Sequence, residues 1–257
     1  MKLLLLLSLV ALVLVAGCTQ KPPQLIVYES DYYVEDTQIK WLGHASFKIK
    51  NSGNTIYLDP FVLENEPDIA DYVFISHAHS DHCNNETLQK IAFRETKIVT
   101  VLDCLYNITA VRTNSIRPGT VEFFDYIDVK IQFMDAYNEF HEKGKSGGMM
   151  VTFNKSGALI KIYHTGDTVL IPEFENLTKE KIDVLLLPIG GKYTMDEEQA
   201  AEATKIIKPK VVIPMHYNSE AYGIDDVGAD PEKFRELLKG SGIEVVILKP
   251  AVNKGFE

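Results

Sequence analysis

Tyr72-Val73-Phe74-Ile75-Ser76-His77-Ala78-His79-Ser80-Asp81-His82 is the stretch on which the fold of this chain turns. Tyr72 to Ile75 is apolar, aromatic and β-branched with no helical polar face, which predicts a buried strand. Alternate residues of an extended segment point the same way, so His77 and His79 can address one side of a cation while Asp81 and His82 swing round to another. That is the pattern of two adjacent metal positions. Imidazole and carboxylate suit zinc, and also iron or manganese. The chain has only seven histidines, so three within six residues are not an ordinary polar loop.

Upstream, Lys2 precedes an apolar run, Leu3 to Ala16, broken only by Ser8. It is too short for a membrane span of ~20 residues and reads as a signal peptide over 1–17. Its end, Val15-Ala16-Gly17-Cys18, resembles a prokaryotic lipobox. The expectation is a lipidated Cys18 that anchors the mature chain to a membrane outside the cytoplasm; ordinary cleavage and an uncleaved anchor are the alternatives. Residues 18–36, with Lys21-Pro22-Pro23, read as the lipidated N-terminus and a tether, leaving 37–257 as one domain. A short strand within Leu25 to Tyr28 stays open.

The formal charge of −10 becomes more negative once Lys2 is removed, and it argues against a nucleic-acid partner. Cys83 and Cys104 are compatible with a disulfide or with two buried thiols. Cys83 directly follows His82, but its side chain should leave the chain in another direction than a ligand.

The rest of the pattern is α/β. Gln38–Leu42, Ser46–Lys50 and Thr55–Leu58 read as an antiparallel meander, with Asn51-Ser52-Gly53-Asn54 as a turn. Asn84 to Phe93 has helical spacing, Lys97 to Val101 reads as a strand, and a helix is expected from Asp103. Further strands are expected over Val121–Phe124, Ile127–Met134, Met149–Phe153, Ala158–Tyr163, Asp183–Pro188, Lys210–Pro214 and Glu244–Leu248, with helices over Asp196–Ile207 and Pro231–Lys239.

The strand followed by His77-x-His79-x-Asp81-His82 resembles the signature of the metallo-β-lactamase superfamily of binuclear metallohydrolases. The resemblance implies an αββα sandwich in four layers. It also implies that His141 completes a first metal site with His77 and His79, that Asp81, His82 and His216 hold a second, and that Asp167 bridges the two. Gly43-His44-Ala45-Ser46 and Asp59-Pro60-Phe61 resemble one branch in which the histidine and aspartate lie beneath the metals; for His44 a purely structural role stays equally open. His164, three residues before Asp167, is expected to support the ligands or to donate a proton. Pro188-Ile189-Gly190-Gly191, Tyr193-Thr194-Met195 and Pro214-Met215-His216-Tyr217 narrow the likeness to hydrolases related to ascorbate-6-phosphate lactonases and, more remotely, N-acyl-phosphatidylethanolamine phospholipase D. Lys192 departs from those relatives at a position expected to touch substrate choice.

The implied activity is hydrolysis of a small ester, lactone or phosphodiester by a hydroxide generated on two divalent ions, most readily zinc, with Asp81 orienting it. The redox flavodiiron branch carries Glu where His79 stands, which disfavours redox chemistry. A non-catalytic solute-binding or scaffold lipoprotein that holds metal for stability is the alternative from another class.

Overall fold

Alternating side chains from Asp31 to Leu58 build an antiparallel meander in the computed structural model, which describes residues 30–108, 113–115, 121–124, 129–155, 158–224 and 228–252. Its strands are β1 (Asp31–Val34), β2 (Thr37–Gly43), β3 (Ser46–Asn51) and β4 (Asn54–Leu58). The sheet then turns parallel through β5 (Tyr72–Ile75), β6 (Lys97–Thr100) and β7 (Thr113–Ser115). Parallel neighbours need a crossover, supplied between β5 and β6 by α1 (Asn85–Ile91), whose Asn84 side chain caps the Thr87 amide. After β6, α2 (Leu102–Leu105) makes a single turn.

A second sheet of seven strands follows. Here β8 (Val121–Phe124), β9 (Val129–Ala136), β10 (Ser146–Lys155) and β11 (Ala158–His164) are antiparallel, and β12 (Val184–Pro188), β13 (Val211–Met215) and β14 (Glu244–Val245) run parallel to β11. Both β12 and β13 are buried along their whole length, as strands covered on both faces must be. One covering layer is α3 (Glu197–Ile207), which packs on β12, on the 3-10 segment Pro172–Glu180 and on α4 (Pro231–Leu237). Asp196 and Gln199 close a capping box at the start of α3. Trp41, Phe47 and Phe74 from the first sheet and Phe133, Phe153 and Tyr163 from the second belong to one continuous buried core. The fold is therefore α/β, with two mixed sheets face to face and helices outside.

The structure corrects several boundaries. Asp31–Val34 is paired strand, so a tether through residue 36 is too long. Strand β10 begins at Ser146 rather than Met149, because Gly147 and Gly148 let Phe133 and the Tyr163 hydroxyl approach the backbone; a Cβ there would meet them at 2.7 and 2.5 Å. The helix expected from Asp103 stops after one turn, and β14 ends at Val245. Cys83 and Cys104 form a disulfide, which settles their alternatives and removes Cys83 as a metal ligand. The signal segment 1–17, Cys18 and the strand considered at 25–28 lie outside the described residues, among which no helix is long and apolar enough to cross a membrane.

Candidate metal centre

The carboxyl ends of β4, β5, β11 and β13 and the β2–β3 and β9–β10 connections meet at one edge of the sandwich. Two backbone bonds stitch the sheets together there: Gly147 N–H to Ser76 O at 3.0 Å and His216 N–H to His44 O at 3.0 Å. All seven candidate ligands lie in this one cluster. His77, His79 and His141 offer nitrogens within 4.8 Å of one another; His82, His216 and His44 with an oxygen of Asp81 form a second such group, and His77 and His82 with an oxygen of Asp167 a third.

Below the cluster, Asp59 fixes the ring orientations. Its carboxylate accepts from the Ser76 amide (2.7 Å), the Ser76 hydroxyl (2.7 Å) and His82 Nδ1 (2.8 Å). His77 Nδ1 lies 2.8 Å from the same hydroxyl and donates to it. Both rings thus donate from Nδ1 downward and aim Nε2 inward, the orientation a metal-binding imidazole needs. Burial alone would raise the Asp59 pKa, but His82, with help from His164 and His77, holds it down at about 2.

On the second side, His44 donates from Nε2 to Asp81 Oδ2 (3.1 Å) and accepts from the Ser219 hydroxyl at Nδ1 (2.8 Å). Burial and the neighbouring His216 lower its pKa to about 4, so it is neutral and both nitrogens are engaged. His44 therefore orients Asp81. His44 and His216 both adopt left-handed backbone, with φ of 52° and 55°.

Asp167 enters from the end of β11 through Gly166, which has φ +64° and where a Cβ would stand 3.1 Å from Ser76 Cβ. Its Oδ2 is 3.3 Å from His82 Nε2 and 3.1 Å from His216 Nε2. Neither approach has hydrogen-bond geometry: His82 Nε2, His216 Nε2 and Asp167 Oδ1 are buried without a hydrogen-bond partner. Among the described residues the ion pairs of Asp59, Asp81 and Asp167 are all with histidines. Burial would lower His82, yet these three carboxylates raise its pKa well above the ordinary value. The centre demands positive charge, and inward-facing ring nitrogens and carboxylate oxygens that lack hydrogen-bond partners are a donor set that suits a divalent cation.

The first group also fits a cation, although its inward nitrogens have partners in the protein: His77 Nε2 with His79 Nδ1, and His141 Nε2 with Asn138 Nδ2 at 3.3 Å. His77 Nε2 and His79 Nδ1 are 3.1 Å apart, close to the ~3.3 Å kept by two ligands of one tetrahedral zinc. His141 is aimed by its loop: Nδ1 donates to Ser146 Oγ at 3.2 Å, and its backbone N–H donates to Asn138 Oδ1 at 3.0 Å. A cleft of about 410 Å³ opens over His79, Asp81, His141 and Asp167.

The sequence and the fold match known proteins. The beta-lactamase superfamily domain matches residues 38–216. The chain belongs to the metallo-β-lactamase superfamily. Within that superfamily it is 34% identical over 225 residues to a UPF0173 metal-dependent hydrolase of Nanoarchaeum equitans, covering 82% of this chain and 96% of the relative. A relative of the same description from Thermococcus onnurineus is 36% identical over 228 residues, with coverages of 83% and 96%. Among solved structures, Igni18, a metallo hydrolase from the hyperthermophilic archaeon Ignicoccus hospitalis, superposes with a TM-score of 0.70 at 28% identity, covering 83% of this chain and 95% of that one. The chain is a metal-dependent hydrolase of the metallo-β-lactamase superfamily.

Of the two roles expected of His164, support of the ligands or proton donation, its surroundings favour support. His164 is fully buried; Nε2 donates to Ala45 O at 2.9 Å and Nδ1 accepts from the Gly166 amide at 3.1 Å. With both nitrogens held inside the protein it has no proton to deliver to the cleft, and instead it braces the Gly166 turn, 3.9 Å from Asp59 Oδ2. Lys192 does not line the cleft; its ammonium lies 5.0 Å over the Tyr193 ring, which does. Sequence reading missed Ser76, Ser219 and Asn138. The signal for Asn138 was its position three residues before His141, the spacing of a side chain that caps a loop amide.

Proposed function

We propose that this chain is an exported two-metal hydrolase acting on a small ester, lactone or phosphodiester. His77, His79 and His141 would hold one divalent ion, Asp81, His82 and His216 the other, and Asp167 would bridge them; zinc suits these donors best, with iron or manganese also compatible. The observation that carries this reading is the convergence of two buried, unpartnered nitrogens, His82 Nε2 and His216 Nε2, on the Asp167 carboxylate, whose other oxygen, Oδ1, is also buried without a partner. When bound, such ions supply Lewis acidity, polarising the scissile group and acidifying water. Asp81 is held by His44 at the floor of the cleft, and its carboxylate stays ionised because His82 and His44 outweigh the effect of burial. It would accept the proton released as water attacks.

The finer kinship with the ascorbate-6-phosphate lactonases rests on Pro188-Ile189-Gly190-Gly191 and Pro214-Met215-His216-Tyr217. Export as a lipoprotein through Cys18 is supported by the Cys83–Cys104 disulfide, which fits an oxidising compartment. The mature protein would then be a tether from Cys18 to residue 30 followed by one catalytic domain.

Elemental analysis of purified protein should find close to two ions per chain and His79→Ala about half or less. Hydrolysis should vanish with chelator and return with added metal; an active wild type without metal would refute the reading. Cys18→Ser should move the protein from the membrane to the soluble fraction.

A further inference from the structure

We propose that Phe140 and Tyr193 form an apolar acyl-binding wall, so that the substrate is a carboxylic ester, open or cyclic, with an uncharged hydrocarbon arm. This rests on the hydrolase reading above and narrows its substrate. Phe140 is 49% exposed beside His141, where a large apolar ring gains nothing from the core. It meets the Tyr193 ring edge-on, with centroids 5.0 Å apart, and both rings line the cleft above the metal cluster together with Ile224.

The wall is held by one side chain. Asn138 Oδ1 accepts from the Phe140 amide at 2.7 Å as well as from that of His141, and Asn138 Nδ2 donates to Tyr193 O at 2.9 Å. A single amide therefore fixes the backbone of both aromatic residues and of a candidate metal ligand. That sets the wall at a constant distance from the reacting group, which is what a specificity surface requires.

The charge of the cleft selects the ligand class. Among the described residues lining it there is no Lys or Arg, whereas Asp81 and Asp167 are present. Asp81 and Asp167 would be spent on the ions, and the described lining adds no side-chain cation to hold the further anionic oxygen of a phosphodiester. An ester carbonyl is neutral, and its hydrocarbon arm can lie against Phe140 and Tyr193.

The test uses metal-loaded protein and p-nitrophenyl esters from acetate to octanoate, with bis(p-nitrophenyl) phosphate as the phosphodiester. In the wild type kcat/KM should rise with chain length, by up to about fourfold per methylene. Phe140→Ala and Tyr193→Ala should each cut the octanoate-to-acetate ratio by about tenfold. Phe93→Ala, which removes an exposed ring elsewhere, should leave that ratio alone. A wild type indifferent to chain length, ratios unmoved by both wall variants, or a preference for the phosphodiester would overturn the wall. If no substrate is turned over at all, the hydrolase reading fails separately, and calorimetry decides the wall. Octanoate binding more tightly than acetate, and losing that advantage in Phe140→Ala, supports it; equal binding refutes it.

Discussion

In the first sheet four antiparallel strands are followed by three parallel ones, and the second sheet repeats that order. Matching positions in the two sheets carry matching residue types. The connection between the second and third strands holds His44 in one sheet and His141 in the other, and the chain leaving the fourth strand holds Asp59 in one and Asp167 in the other. Their uses differ. His44 and Asp59 satisfy every polar atom within the protein and point other side chains, whereas Asp167 keeps an oxygen without a partner. For the two aspartates, what separates supporting a centre from taking part in it is whether the protein itself completes the hydrogen bonds; His141, with Nδ1 on Ser146 and Nε2 3.3 Å from Asn138 Nδ2, does not follow that division.

The sharpest way to break this comparison is to remove the matched aspartates. Asp167→Asn should lower turnover by roughly 10³-fold, the scale of the several kcal/mol a metal Lewis acid supplies. Asp59→Asn should weaken metal affinity by about 10- to 100-fold while leaving residual turnover at saturating metal. Equal losses in the two variants, measured by kinetics and metal titration, would show that the halves are not divided in this way. Smaller in effect is the disulfide beside the metal loop of the first half. Cys104→Ser should cost about 3 kcal/mol in urea unfolding, given the separation of 21 residues; an unchanged midpoint would mean that the loop is held without it.

The smallest effect concerns an ion cluster of the first half, in which Glu64 pairs with Lys48 and Lys40. Burial would raise the Glu64 pKa, but hydrogen bonds from Lys48 and Lys40 hold it below its ordinary 4.5. A carboxylate depressed on folding stabilises above its unfolded pKa and loses that contribution as pH falls through the folded value. Glu64→Gln should therefore destabilise by about 1 kcal/mol at pH 7, and the difference should shrink below pH 4.5. A difference that persists at pH 3 would assign the effect to packing.

What could be read from sequence follows from how local each signal is. The dense cluster at 77–82 announces itself because a strand ends in consecutive ligand types, and the meander at 38–58 because its alternation is unbroken. His141, Asp167 and His216 are isolated residues in separate loops, and only the resemblance to a family linked them. Strand β1 was hidden by its shortness and by the polar, proline-containing stretch before it, and the start of β10 by Gly147 and Gly148, which weaken strand propensity but admit Phe133 and Tyr163. Ser76, Ser219 and Asn138 act through side-chain hydrogen bonds between distant segments, which no local pattern reveals.

The main-chain bond from His216 to His44 joins residues 172 positions apart, each in left-handed backbone and each touching the same carboxylate cluster. Affinity for the cation is thereby tied to the docking of one sheet on the other. Any disturbance that slides the sheets apart, even far from the cleft, will register first as lost metal, so occupancy is a sensitive gauge of whether the sandwich is closed.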